Sequence, residues 1–400
     1  MIRYRAAAGP ATRWWERNWV TNTSSVKVAP KSHRRYNLGV MSQNSSGVTA
    51  YQNRMGHNIE CISGNCGVYG MDTSVVPAGS VCTTWDELTG GPYANGDNAV
   101  AARTQLDFGW LPQMSYWYNS LPGTVWGFGC MTMLPRPSHI SVCTEVANGT
   151  WRARYQRMGA RLRWKLAQTG RHDIEQNFGI RINWEGMNQN TGLLIDGPVA
   201  PGFNASVPNG AERQFYIQGG TFQLYTDMMG AFSEALWDGA GYRIPLAFSP
   251  AMTSTGTVPS IPYRDYVATG TYDMCCGSFH PKWDRCNTDA NTRGLVYGRS
   301  GYFTVGDAIT AAIEFDKVVA VLESGAVQPD TAARDVSRYD MAYAHLADIF
   351  EANPGRIGFH CLLQNEVLTP TYYSGRGDPQ ATDWSDYATT FYNRFKAIPL

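Results

Sequence analysis

The stretch "GIRINWEGMNQN", residues 179 to 190, decides how the chain is read. Its first half has the pattern of a buried strand, and side chains alternate along a strand, so Arg181, Asn183 and Glu185 share one face. Glu185 stands where the apolar stretch ends, with Asn188, Gln189 and Asn190 after it. Three polar groups in a row on a buried face are costly unless they bond one another or a ligand. A second run, "KVVAVLESGAV" at 317 to 327, has the same layout: apolar residues, then Glu323, then Ser and Gly. Two lone carboxylates at strand ends, far apart in sequence, are how a barrel enzyme assembles an acid/base pair.

Working outward, short apolar runs occur at 36–42, 58–63, 124–134, 179–187, 242–251, 265–274, 317–326 and 356–364. Between them, 150–170, 222–239 and 338–355 keep apolar residues at three/four spacing, the first two closing on Gly and the third on Asn-Pro-Gly. Strands alternating with helices imply parallel βα units, and eight such runs imply a (β/α)8 TIM barrel. An open doubly wound sheet is the competing architecture, but no Gly-rich phosphate loop opens a helix after the first run. Residues 1–36 are Arg-rich, contain Trp and lack periodicity, and are read as an N-terminal arm; 37–400 are read as the barrel. The loops at 64–108 and 188–212 are long for connectors, which on a barrel points to function.

Composition narrows the function. Lys+Arg equals Asp+Glu at 33 each and charged residues are 16%, which argues against a nucleic-acid binder. Thirteen Trp and 22 Tyr in a weakly charged chain suit sugar binding, because ring faces pack on the apolar faces of pyranoses. No run approaches the ~20 apolar residues of a membrane span, and the N-terminus shows no apolar core of a signal peptide, so no membrane insertion is expected and the compartment stays open between extracellular and virion-associated. Of the nine Cys, Cys61 with Cys66, or a pair among Cys275, Cys276 and Cys286, are candidates for a disulfide. Cys361 falls in a strand run and reads as a small buried hydrophobe. The set Cys275, Cys276, His280, Cys286 has no zinc spacing, and neither metal nor cofactor is expected.

If both strand ends open on one mouth, Glu185 and Glu323 can flank a glycosidic bond, one carboxyl giving a proton to the leaving oxygen and the other attacking C1. Arg181 would hold the nucleophile ionised. His360, in "GFHC", is a candidate for facing the same mouth, although a strand His is more often a core residue.

The layout resembles the glycoside hydrolases of clan A, and within them family 26 and its mannanase-like relatives. "IRINWEGMN" is similar to that family's strand-four motif, "NGTWRARYQRMGARL" to the helix before it, and "KVVAVLESGAV" to its nucleophile strand. "DYVATGTYDM" resembles the strand-six segment ending in a functional Tyr, and "NLGVMSQNSSGVTAYQNRMGHNIECI" the first βα unit, so the likeness spans about residues 36 to 364. It implies Glu185 as acid/base, Glu323 as nucleophile, Tyr272 as hydrogen-bond partner of that nucleophile, and Trp283 as a stacking platform. Asn183 and Asn188 would hold sugar hydroxyls. The sequence departs from the family at Trp184, where His or Asn is common, at Gly186, which moves Asn188 one position on, and at Ser324, where an aromatic is usual.

Two functions follow. One is a retaining, endo-acting glycosidase on a β-linked polysaccharide. The other is a barrel with weak or no catalysis that binds carbohydrate within a virion or surface assembly, with residues 1–36 docking on an assembly partner.

Overall fold

The computed structural model of the chain describes residues 37–41, 60–63, 126–131, most of 140–163, 178–182, 215–216, 219–250, 261–279, 288–298, 303–324, 336–353, 355–363, and 394, 395 and 397. The N-terminal arm and both long loops lie outside these residues.

Eight strands close into a barrel in chain order: β1 (Asn37–Met41), β2 (Cys61–Ser63), β3 (Trp126–Met131), β4 (Phe178–Ile182), β5 (Leu246–Phe248), β6 (Met274–Phe279), β7 (Val318–Ser324) and β8 (Ile357–Leu363). Neighbours are parallel all the way round, including β1 with β8. The (β/α)8 barrel read from the sequence is the architecture found. One run is corrected. Residues 265–274 do not form a strand: Tyr263–Ala268 is a helix, and β6 begins only at Met274. Tyr263, Tyr266 and Val267 are buried together, the three/four spacing of a helix face inside an aromatic, β-branched run that resembles a strand.

The helices have local causes. In Phe222–Ala240 the buried Tyr225, Met228, Met229, Phe232 and Leu236 form one stripe. The Thr221 hydroxyl accepts from the Leu224 N–H at 3.2 Å, and Gly241 ends the helix at φ 75°, a conformation that favours glycine. Val305–Glu314 opens with a reciprocal capping box between Thr304 and Asp307. Such a cap contributes about 1 kcal/mol. At the entry end of the barrel, Arg243 donates to Asp273 at 2.9 Å, and Asp273 accepts the Leu246 N–H at 3.1 Å, tying β5 to the start of β6.

Two apolar layers result. Helices pack on the outer face of the sheet, where Phe178, Ile180 and Ile182 of β4 point. The interior holds Trp126, Phe128 and Phe359, with Phe359 edge-on to Trp126 at 5.1 Å and to Phe128 at 4.7 Å. Gly179 leaves room for this plug, since a Cβ there would lie 2.9 Å from both Met274 Cε and Phe128 Cε1. Gly39 does the same between Cys61 and Cys361, its register partners on either side, whose sulfurs meet at 3.4 Å. A Cβ on Gly39 would lie 2.8 Å from the Cys61 sulfur and closer still to the Cys61 carbonyl.

Gly39→Ala therefore has to push β1 off β2. It should lower stability by about 3 kcal/mol or more, read as a fall in the denaturation midpoint, while Gly149→Ala, on an open turn at φ 78°, should cost about 1 kcal/mol.

Candidate active site

The exit ends of the strands carry the polar groups. β4 alternates regularly, Ile180 and Ile182 outward and Arg181 inward, and Arg181 has no exposed surface. β7 does not alternate. Val318 and Ala320 face the interior while Val319 and Val321 face the helices, which by strict period two would send Glu323 outward with them. The pairing shows why it is not. Cys276 pairs with Ala320 and Ser278 with Glu323, so two steps along β6 match three along β7. The same extra residue appears against β8, between Val321 and Ser324. This β-bulge turns Leu322 and Glu323 both inward and returns Ser324 to the outer face, where its hydroxyl is 3.4 Å from the Tyr343 hydroxyl.

Glu323, 6% exposed, thereby meets Arg181: Nη2 donates to Oε2 at 3.1 Å. The guanidinium also donates through Nη1 to the Ser63 hydroxyl at 3.2 Å, and through Nη2 and Nε to the Ser249 hydroxyl at 3.2 and 3.4 Å. Ser63 ends β2 and Ser249 follows β5, so four strands converge on one cation. Below it lies Cys276, whose thiol is pushed up by burial, with Arg181 and Ser249 opposing the shift. The thiol therefore stays neutral, and the pair above it is a carboxylate against a guanidinium. A cation 3.1 Å away favours the ionised carboxylate. An ionised carboxylate at the exit end of a barrel strand can act as nucleophile or base.

The structure brings Arg181 and Glu323 together. Glu185, Asn183, Asn188 and Trp283 lie outside the described residues. Tyr272 is not a partner for Glu323. It precedes β6 on the entry side, whereas Glu323 pairs with Ser278 near the exit, and its ring belongs to the outer layer, its hydroxyl 2.6 Å from that of Tyr225. His360 does not face the mouth either. Val321 of the outer face is its register partner, and its ring packs on Phe350 and Phe395 at 5.4 and 4.7 Å. Ser63 and Ser249 were not singled out in the sequence, although Ser63 closes the run at 58–63 and Ser249 follows the apolar "PLAF" within the run at 242–251. Cys61, Cys275 and Cys276 are free thiols, which removes the disulfides drawn through them. Cys275 packs in the outer layer and Cys276 in the interior, so the two cannot share a metal. No metal-holding group of three or more His, Cys, Asp or Glu occurs among the described residues.

No family model matches the chain, and no curated protein matches it. Among solved structures, a double mutant of the Cellulomonas fimi endo-β-1,4-mannanase is similar at TM-score 0.51 and 14% identity, over 89% of this chain and 71% of that one. A modular endo-β-1,4-mannanase from Cellulomonas fimi, whose structure concerns the product specificity of glycoside hydrolase family 26 mannanases, follows at 0.50 and 13%, with the same coverage. The barrel shares the fold of the family 26 mannanases. That fold is the (β/α)8 barrel that the sequence implied. A family 26 β-mannanase from Bacteroides ovatus aligns at TM-score 0.49 and 12% identity, over 90% of this chain and 86% of that one.

Two measurements check the electrostatics. Arg181→Met leaves Glu323 buried without its cation, and Glu323→Gln leaves the guanidinium buried without its counter-charge, so each should cost about 3 kcal/mol in denaturant unfolding. His360 is held neutral, burial lowering it from 6.5 to about 3. Between those values the unfolded chain binds a proton that the folded chain does not, so stability is full above pH 6.5 and is lost as pH falls toward 3. The loss should approach about 1.4 kcal/mol per pH unit, and His360→Phe should flatten it.

Proposed function

We propose that the chain is a retaining, endo-acting glycoside hydrolase on a β-linked polysaccharide, with Glu323 as nucleophile and Glu185 as acid/base. The observation that carries this reading is the buried Arg181–Glu323 pair, aimed inward by the β7 bulge at the exit end of the barrel. The fold shared with the family 26 mannanases supports it and makes a β-1,4-linked mannan the first substrate to try.

In the first step the Glu323 carboxylate bonds to C1 of the sugar while the glycosidic oxygen leaves, taking its proton from Glu185. In the second, Glu185 removes a proton from water, whose oxygen attacks C1 and releases Glu323. Two inversions return the starting configuration. Arg181 keeps Glu323 ionised for attack, and its hydrogen bond orients the carboxylate. Asn183 and Asn188 would bind hydroxyls, and Trp283 would stack on a sugar face.

The second reading, a binding barrel in a virion or surface assembly, rests on Trp184 and Gly186 beside Glu185 and on the Arg- and Trp-rich residues 1–36 as the docking segment. The two separate in one assay. On mannan oligosaccharides, the wild-type chain should release product with retained anomeric configuration, seen by proton NMR. Glu323→Gln should lower turnover by about 10³-fold or more while oligosaccharide binding persists. Binding without turnover in the wild-type chain would favour the second reading, and loss of an assembly partner on deleting residues 1–36 would establish it.

A further inference from the structure

We propose that Ser63 and Ser249 are positioning residues, a pair of neutral hydroxyls that fixes the Arg181 guanidinium so that one N–H stays aimed at Glu323. Its consequence for turnover rests on the reading of Glu323 as nucleophile; its consequence for the carboxylate does not.

The geometry is that of a clamp. A guanidinium is planar with N–H bonds in fixed directions. Ser63 holds it by Nη1, and Ser249 holds it by the Nε–Nη2 edge. With both sides held the plane cannot rotate, and the second Nη2 hydrogen points at Glu323 Oε2, 3.1 Å away. Loss of either hydroxyl leaves a space into which a side chain with this many torsions can swing. The choice of serine also has an electrostatic reason. A carboxylate in either place would hold the guanidinium as well but would offset its charge, whereas a hydroxyl leaves the field at Glu323 intact. By accepting two N–H groups, the Ser249 oxygen keeps its own proton free to donate toward Cys276, whose thiol it contacts. Arg181 from β4 and the Cys276 thiol from β6 are titratable groups facing Glu323, and burial keeps that thiol neutral.

The test is the titration of the Glu323 carboxylate, followed by isotope-edited infrared spectroscopy and assigned by its loss in Glu323→Gln. In Ser63→Ala/Ser249→Ala the midpoint should rise by about one pH unit, in Ser249→Asp by at least as much, and in Ser249→Thr, which keeps the hydroxyl, it should stay at the wild-type value. A double-alanine midpoint equal to that of wild type overturns the proposal. If Ser249→Ala does not fold, Ser63→Ala decides alone, with an upward shift supporting the clamp and an unmoved midpoint refuting it. Mannan hydrolysis is measured on the same samples. A shifted midpoint in a chain that cleaves nothing sinks the glycosidase reading and leaves the clamp standing. An unmoved midpoint in an active enzyme does the reverse.

Discussion

A cation with no exposed surface sits on top of a plug of aromatic and aliphatic side chains, and the exit half of the barrel is arranged around it. Taking an arginine out of water costs several kcal/mol after relaxation, and a buried ion pair commonly breaks even against a hydrophobic replacement. Arg181 is therefore poorly explained as a stabilising device. Its place is explained by what it gathers: the Glu323 carboxylate, aimed inward by the irregular pairing of β7, and the Ser63 and Ser249 hydroxyls beside the exit ends of β2 and β5.

The two layers divide the work. Between helices and sheet, large apolar residues pack at regular spacing and supply the bulk of the burial. Inside the barrel, glycines and small residues give way to Trp126, Phe128 and Phe359, so the interior is closed at the level just below the charges. A low-dielectric floor under an ion pair strengthens its interaction and confines solvent to the open side. The apolar interior and the buried ion pair thus meet at one boundary, near the exit ends of β4 and β7.

Much of this was legible in the sequence because periodicity and strand-end polarity are local properties. Seven of the eight runs contain strands, and Arg181 and Glu323 stand out as charges at the ends of apolar runs. The sixth run misled because Tyr266, Val267 and Tyr272 are residues that strands also favour, while the true strand, "MCCGSF", is built largely of small residues. Cys276 there fits beneath Arg181, and a Cβ on Gly277 would lie 3.4 Å from Val305 Cγ2. Tyr272 lies away from Glu323 for the same cause, since a strand's start depends on its neighbours, and His360 takes the core place that a strand His more often has. Glu323 is the instructive case. Simple alternation from Val319 and Val321 would have turned it away, and only the bulge, a property of three paired strands, turns it inward. Ser63 at the end of β2 and Ser249 just after β5 carried no signal that a distant arginine bonds to both.

The helix after β5 has a consequence for how such a barrel can change. The Tyr263 hydroxyl, kept protonated by burial, sits 3.2 Å from the Phe248 carbonyl and 3.0 Å from the Cys276 carbonyl. The chain leaving β5 is thus fastened to the chain coming back, and both are fastened to β6. One hydroxyl holds the backbone beside Ser249 and beside Gly277 together, so a change at Tyr263 would loosen β5 and β6 at once.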